Sequence, residues 1–132
     1  MMIFPDDLLY SREHTWARID GNLAVIGITD YAQEKLGELL HIELPQVDTY
    51  LEQDEPFGTL ESAKTVTEII SPVSGEVVRV NEDMIDDIGI ITSDPYDAGW
   101  MIVIEMKDLS ELDNLLDSAE YRDYIGTEEG LD

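Results

Sequence analysis

The chain contains no cysteine, which excludes disulfides, thiolate metal sites and cysteine nucleophiles. Any thiol chemistry it takes part in must use sulfur from an attached group. Positive charge is scarce: seven Lys and Arg stand against 31 Asp and Glu, for a formal net charge of −24. A field of that sign repels phosphate backbones and anionic lipid, so no nucleic-acid or membrane partner is expected. No segment approaches the ~20 apolar residues of a membrane-spanning helix. The opening MMIFPDD has no basic stretch and turns acidic at once, so it reads as neither a secretory signal nor a transit peptide, and a cytoplasmic protein is expected. His14 and His41 lack a third histidine, so no zinc site is expected. Glu82, Asp83, Asp86 and Asp87 are out of register with a calcium-binding loop and read as a solvated loop. With no nucleophile–base pair and no phosphate-cradling glycine loop, the chain does not read as an enzyme.

The 132 residues fit one domain spanning 1–132, with a core over about 13–107 and C-terminal helices over about 110–125. The acidic excess has two readings, solubility or docking to partners with basic surfaces, and composition does not separate them.

The pattern is mostly β. Thr15–Ile19 and Leu23–Ile28 are short β-type runs joined by Asp20-Gly21-Asn22, the chemistry of a hairpin turn. Asp30 is placed to cap a short helix that Gly37 would end. Gly37-Glu38-Leu39-Leu40-His41-Ile42 is then echoed by Gly75-Glu76-Val77-Val78-Arg79-Val80. Each copy is followed by an acidic, turn-rich stretch and an aromatic-led strand, Phe57–Glu61 and Trp100–Glu105. Two such units in tandem predict two small sheets facing each other across a shared core. Trp16 and Trp100 read as core or rim packing. Leucines at 112, 115 and 116 behind Ser110 predict an amphipathic helix, a second helical piece covers Ser118–Ile125, and Gly126–Asp132 reads as a frayed end.

Between the two units lies TLESAKTVTEIISPVSGEVV, residues 59–78. Phe57–Glu61 and Val66–Ile70 are strands, Ser62–Thr65 a tight connection, and Pro72 follows the return strand because proline cannot donate to a ladder. Lys64, one of three lysines in the chain, is thereby placed at a hairpin tip with solvent on all sides. A tip amine on a rigid scaffold can be gripped by an enzyme without unfolding anything, as the root of a swinging arm requires.

Glu61-Ser62-Ala63-Lys64-Thr65, followed by Ser71-Pro72-Val73-Ser74-Gly75-Glu76-Val77-Val78, resembles the lipoyl-attachment region of the glycine cleavage system H-protein family. The resemblance covers nearly the whole chain, through Val25–Gln33, Ile42-Glu43-Leu44-Pro45, Pro95-Tyr96, Gly99-Trp100 and Ser110-Glu111-Leu112 with Leu115-Leu116. It implies a barrel-sandwich hybrid of lipoyl-domain type, with short peripheral helices and a C-terminal helical segment. It also implies a monomeric, non-catalytic carrier with lipoate in amide linkage on Lys64, whose attachment would take the formal charge to −25. The implied partners are glycine decarboxylase, an aminomethyltransferase, dihydrolipoyl dehydrogenase, and a lipoate ligase or lipoyltransferase. Biotin carriers share the fold but flank their lysine with methionines, where this chain has Ala63 and Thr65.

The chain departs from the family pattern in places. Where the family has His-Glu-Trp, with the glutamate helping to hold the loaded arm in a cleft, this chain has His14-Thr15-Trp16. That makes Glu13, Thr15 and Glu68 the candidate arm-docking residues, and either Glu13 or Glu68 could supply the missing carboxylate. Asp48 and Asp54 replace glycines in two turns, which aspartate tolerates better than most residues. Ile88 and Thr92 stand where proline and asparagine are common, and Thr65-Val66 replaces small residues. Two alternatives therefore stay open. One is an H-like carrier serving a sulfur-oxidising heterodisulfide-reductase-like complex or a lipoate relay; the other is an unmodified docking scaffold.

Overall fold

The computed structural model of the protein describes residues 2–128. Strands β1 (Leu9–Tyr10), β2 (Thr15–Asp20), β3 (Leu23–Ile28), β9 (Ile102–Met106), β8 (Gly75–Val80) and β5 (Tyr50–Leu51) form a six-stranded sheet in that order. Strands β4 (Leu39–Glu43), β6 (Pro56–Ser62) and β7 (Val66–Ile70) form a three-stranded one. All pairings are antiparallel. The helices are short and peripheral: α1 (Asp30–Leu36), α2 (Asp83–Asp86), α3 (Gly89–Ser93), a 3-10 helix (Leu109–Asn114) and α4 (Ser118–Glu128).

The two sheets face each other. Ala24, Ile26, Val77, Ile102 and Ile104 from the larger meet Leu39, Ile42, Phe57, Leu60 and Ile69 from the smaller in one apolar core. This is the expected sandwich, with the sheets unequal in size. A second cluster of Phe4, Tyr10, Trp16, Tyr31, Tyr121 and Ile125 brings both ends of the chain into the packing, beyond the 13–107 span on either side.

The tandem echo is structural. One copy pairs as β4·β6 in the small sheet, the other as β8·β9 in the large one. The register breaks between Leu39 and His41 in the first and between Val77 and Arg79 in the second, the same place in the repeated pattern. Each bulge follows a glycine with positive φ, Gly37 at 76° and Gly75 at 154°, a conformation costly for a residue with a Cβ.

Several local expectations are corrected. Thr29, not Asp30, caps α1, its side chain accepting from the Ala32 N–H; Asp30 instead accepts from Ile3 N–H and the Gln33 amide. The second aromatic-led strand starts at Ile102 rather than Trp100. The Ser110–Leu116 helix is a 3-10 turn capped by Asp108, which accepts from the Ser110 N–H. The Glu82–Asp87 acids are exposed as expected, but the stretch holds a helical turn, α2, pinned by buried Met84, rather than a loop. Helix α4 continues through Gly126 to Glu128, and residues 129–132 of the expected frayed end lie outside the described residues. Asp48 and Asp54 do adopt positive φ, 80° and 71°, as their turns demand. Trp16 is fully buried and its Nε1 donates to the Pro95 carbonyl at 3.0 Å, while Trp100 sits at the rim. No helix among the described residues is long and apolar enough to cross a membrane.

Candidate functional site

The β6–β7 connection is tied down by short bonds. The Ser62 N–H donates to the Thr65 carbonyl at 2.8 Å, closing the turn. The buried Ser62 Oγ accepts from the N–H groups of Lys64 and Thr65 at 3.2 and 3.1 Å. Outside the hairpin, the Ala63 N–H donates to the Glu38 carbonyl at 2.9 Å, fastening the turn to the segment that opens β4. A serine at this place works because its short hydroxyl reaches the backbone two and three residues ahead.

On that root Lys64 is exposed, as are its neighbours Glu61, Ala63 and Thr65. Its ammonium is not surrounded by water on every side. Nζ donates to the Lys35 carbonyl at 3.1 Å, in the last turn of α1, where unpaired carbonyls and the helix dipole favour a cation. One solvent-exposed bond of this kind contributes on the order of 1 kcal/mol or less, so the amine is steadied without being locked.

Beside α1 opens a cleft of about 200 Å³ with Glu13, His14, Thr15, Tyr31, Lys35 and Glu68 on its walls. Ile28, Leu36, Leu60 and Ile69 supply an apolar floor. The three candidate arm-docking residues thus share one cavity, though they are not equivalent. Glu13 and Glu68 are exposed. Thr15 is only 1% exposed, and its hydroxyl is already paired, 2.7 Å from Ser11 Oγ. Glu68 lies on β7 three residues beyond Thr65, roughly 10 Å from the tip at strand rise. Helix α1 links the two features, since Lys35 both lines the cleft and accepts the Lys64 bond.

The cleft also contains residues that were not among the arm-docking candidates. His14 adopts φ 72° and its Nδ1 lies 2.8 Å from Tyr121 Oη, which in turn is 2.8 Å from Thr29 Oγ1. Its ring packs 4.8 Å from Tyr31, and Lys35 Nζ sits 5.8 Å from the Tyr31 centroid. The i, i+1, i+4, i+5 spacing of Tyr31, Ala32, Lys35 and Leu36 is the periodicity that puts them on one helix face. Among the described residues no three His, Asp or Glu side chains gather as a metal site.

The family described as glycine cleavage H-protein matches residues 8–128. The glycine cleavage system H protein of Anoxybacillus flavithermus is 51% identical over 124 residues, 94% of this chain and 98% of that one. Its counterpart in Brevibacillus brevis is 50% identical over 120 residues, 91% and 95% of the two chains. The crystal structure of a glycine cleavage system H protein from Mycobacterium marinum is similar at TM-score 0.84 and 36% identity, covering 97% of this chain and 100% of that one.

Proposed function

The chain belongs to the glycine cleavage H-protein family, and from that premise we propose that it is a lipoyl carrier of the glycine cleavage system, with lipoate in amide linkage to Lys64. The observation that carries this reading is an exposed primary amine on a turn whose backbone is pinned by Ser62 and Glu38. An attachment enzyme can reach Nζ by displacing one exposed bond to Lys35. Acylation removes the ammonium charge, and the amide N–H that remains can still donate to that carbonyl.

The cavity beside α1 fits such a group. Its floor is aliphatic, suiting a hydrocarbon arm, and two exposed carboxylates stand at its walls. Bound on Lys64, lipoate would supply the dithiol that carries an aminomethyl group among glycine decarboxylase, the aminomethyltransferase and dihydrolipoyl dehydrogenase. The chain's own part is to hold, shelter and release. Ser62 stiffens the root, the apolar floor takes the arm out of water, and Glu13 and Glu68 face a cationic end group. The domain spans 1–132, the protein catalyses no step itself, and a cytoplasmic, monomeric protein is the matching setting. The sulfur-oxidation reading ranks second, because it leaves both cleft carboxylates without a task.

Intact mass after coexpression with a lipoate ligase tests the site. The unsubstituted chain should gain one lipoyl group and Lys64→Arg none. A Lys64→Arg chain that still gains it would refute the assignment, and a chain never gaining it would leave the docking scaffold.

A further inference from the structure

A buried line of hydrogen bonds runs from the cap of α1 to the wall of the cleft. Thr29 and Tyr121 are both 0% exposed. Among the described residues Thr29 Oγ1 meets two hydrogen-bond partners, the Ala32 N–H at 3.2 Å and Tyr121 Oη at 2.8 Å. An amide N–H only donates, so the threonine hydrogen has the tyrosine oxygen as its acceptor. Tyr121 Oη in turn lies 2.8 Å from His14 Nδ1. Having accepted from Thr29, the phenol has its own O–H to give, and Nδ1 receives it only as an unprotonated nitrogen. In the order Thr29, Tyr121, His14, each buried hydroxyl hydrogen has a partner. The imidazole is then neutral, with its proton on Nε2.

Protonating His14 would reverse the line. The Nδ1–H would donate to Tyr121 Oη, the phenol would turn toward Thr29, and the threonine hydrogen would be left inside the protein with no acceptor among the described residues. The charges around the ring are of both signs. Glu13 on its own turn, Glu68 on β7 and Asp123 on α4 favour a cation, whereas Lys35 on α1 and Arg12, whose guanidinium lies 6.0 Å from the Tyr124 centroid, oppose it. All five are exposed and screened by water, while Thr29 and Tyr121 are sealed from it, so the buried line sets the state of the ring. Tyr31, Tyr121 and Tyr124 pack against that ring at centroid distances of 4.8, 5.9 and 6.1 Å and hold it in place.

We propose that Tyr121 is a positioning residue for the arm cleft, acting through His14 to keep that wall uncharged when the arm carries a cationic end group. In taking the cleft as the shelter of the arm, the inference rests on the function proposed above. An imidazolium in the wall would repel the ammonium that Glu13 and Glu68 attract; a neutral ring does not. Helix α4, remote in sequence from the Lys64 hairpin, thereby becomes part of the site.

The test starts from the full, unmodified chain. Long-range nitrogen–proton NMR spectra should show His14 with a bare Nδ1 at pH ~7. Tyr121→Phe should release that tautomer and move the titration midpoint of the ring upward, by about 0.5 or more on the pH scale. Thr29→Val should do the same, Thr29→Ser should keep the original midpoint, and Tyr124→Phe should change neither tautomer nor midpoint. A purely structural role would instead lower Tm and leave the midpoint unmoved. On chain lipoylated at Lys64 and loaded with the aminomethyl group by glycine decarboxylase, Tyr121→Phe should speed loss of that group to water about threefold at pH ~6. At pH ~8, above the ordinary imidazole range, the rates should match. The inference is overturned if Nδ1 carries a proton in the unsubstituted chain at pH ~7, if Tyr121→Phe leaves the midpoint in place or lowers it, or if the two loss rates differ equally at both pH values. Failure of Lys64 to gain lipoate, read by intact mass, would refute the carrier function and the arm role with it, while the spectra still decide the state of His14.

Discussion

Gly75 and Gly37 occupy equivalent places in the two halves of the repeat, yet they tolerate change differently. A Cβ on Gly37 would approach only the flexible end of Lys64, at 3.2 Å, whereas one on Gly75 would come within 2.0 Å of the Glu105 carbonyl and 2.6 Å of Ile104. Gly75→Ala must therefore push β8 from β9, and a loss of roughly 3 kcal/mol or more is expected in denaturant melts. Tyr10 and Tyr96 carry a different constraint. Burial, before any neighbouring charge, pushes both phenols above their ordinary range, and each donates to a backbone carbonyl, Pro5 and Ile3, at 2.5 Å. Their folded values lie above the unfolded value of about 10. The stability they contribute is thus complete below that pH and is lost as the pH climbs through the raised folded values. Ultraviolet titration should show at least two of the six tyrosines ionising only together with unfolding; ionisation of Tyr10 and Tyr96 in the ordinary range in folded protein would contradict this. Legibility at this scale depended on neighbours. Asp48 and Asp54 were readable as glycine substitutes because φ > 0 follows from turn chemistry. Thr29 and Asp30 are both good caps, and only the Tyr96 hydroxyl, which receives the Asp30 N–H at 2.8 Å, reveals which of them stands outside the helix.

Short β-type runs bounded by turn residues were read to the residue, as with β3 and β7. The C-terminal segment was not. The leucine spacing at 112, 115 and 116 indicates an α-helix, but Leu112 and Leu115 pack on the inter-sheet core while Leu116 joins the aromatic cluster. Reaching two cores forces the chain out of helix at Leu115, which is extended with φ −96° and ψ 164°. No local propensity encodes that demand. Within this 3-10 turn Glu111 clamps the start of β8, its carboxylate accepting from Ser74 N–H at 2.7 Å and from Ser74 Oγ at 2.6 Å. Glu111→Ala leaves those donors without partners, and a loss of about 1–3 kcal/mol is expected, read as a lower unfolding midpoint at unchanged m-value. The Lys64 hairpin was legible because the bonds that close its turn are local, Ser62 to Thr65; its tie to the Glu38 carbonyl was not. The cleft was not, since His14, Tyr31 and Glu68 meet only through the tertiary fold.

Across the whole molecule the charge excess is left largely unneutralised. Arg12, Arg18, Lys35, Arg79, Lys107 and Arg122 each lie over an aromatic ring within 6.0 Å, and Lys64 is the remaining basic side chain. Such contacts contribute about 0.5–1 kcal/mol at exposed sites and hold these cations at rings. Self-repulsion among the carboxylates then destabilises the compact state. Raising NaCl from ~0.01 to ~0.15 M shortens the screening length from about 30 to about 8 Å, so scanning calorimetry should record a higher Tm. A flat or falling Tm would mean that the acids are already compensated. Total charge was readable from composition; how the few cations are spent was not, because it depends on which rings the fold brings within reach.

The six-stranded sheet terminates on both sides in strands only two residues long, Leu9–Tyr10 and Tyr50–Leu51, and the first is further covered by paired bonds between Tyr10 and Leu116. Two copies of this sheet meeting edge to edge present stubs, too short to template fibril growth. Combined with mutual repulsion between chains of net charge −24, this disfavours growth of a continuous intermolecular ladder through the larger sheet.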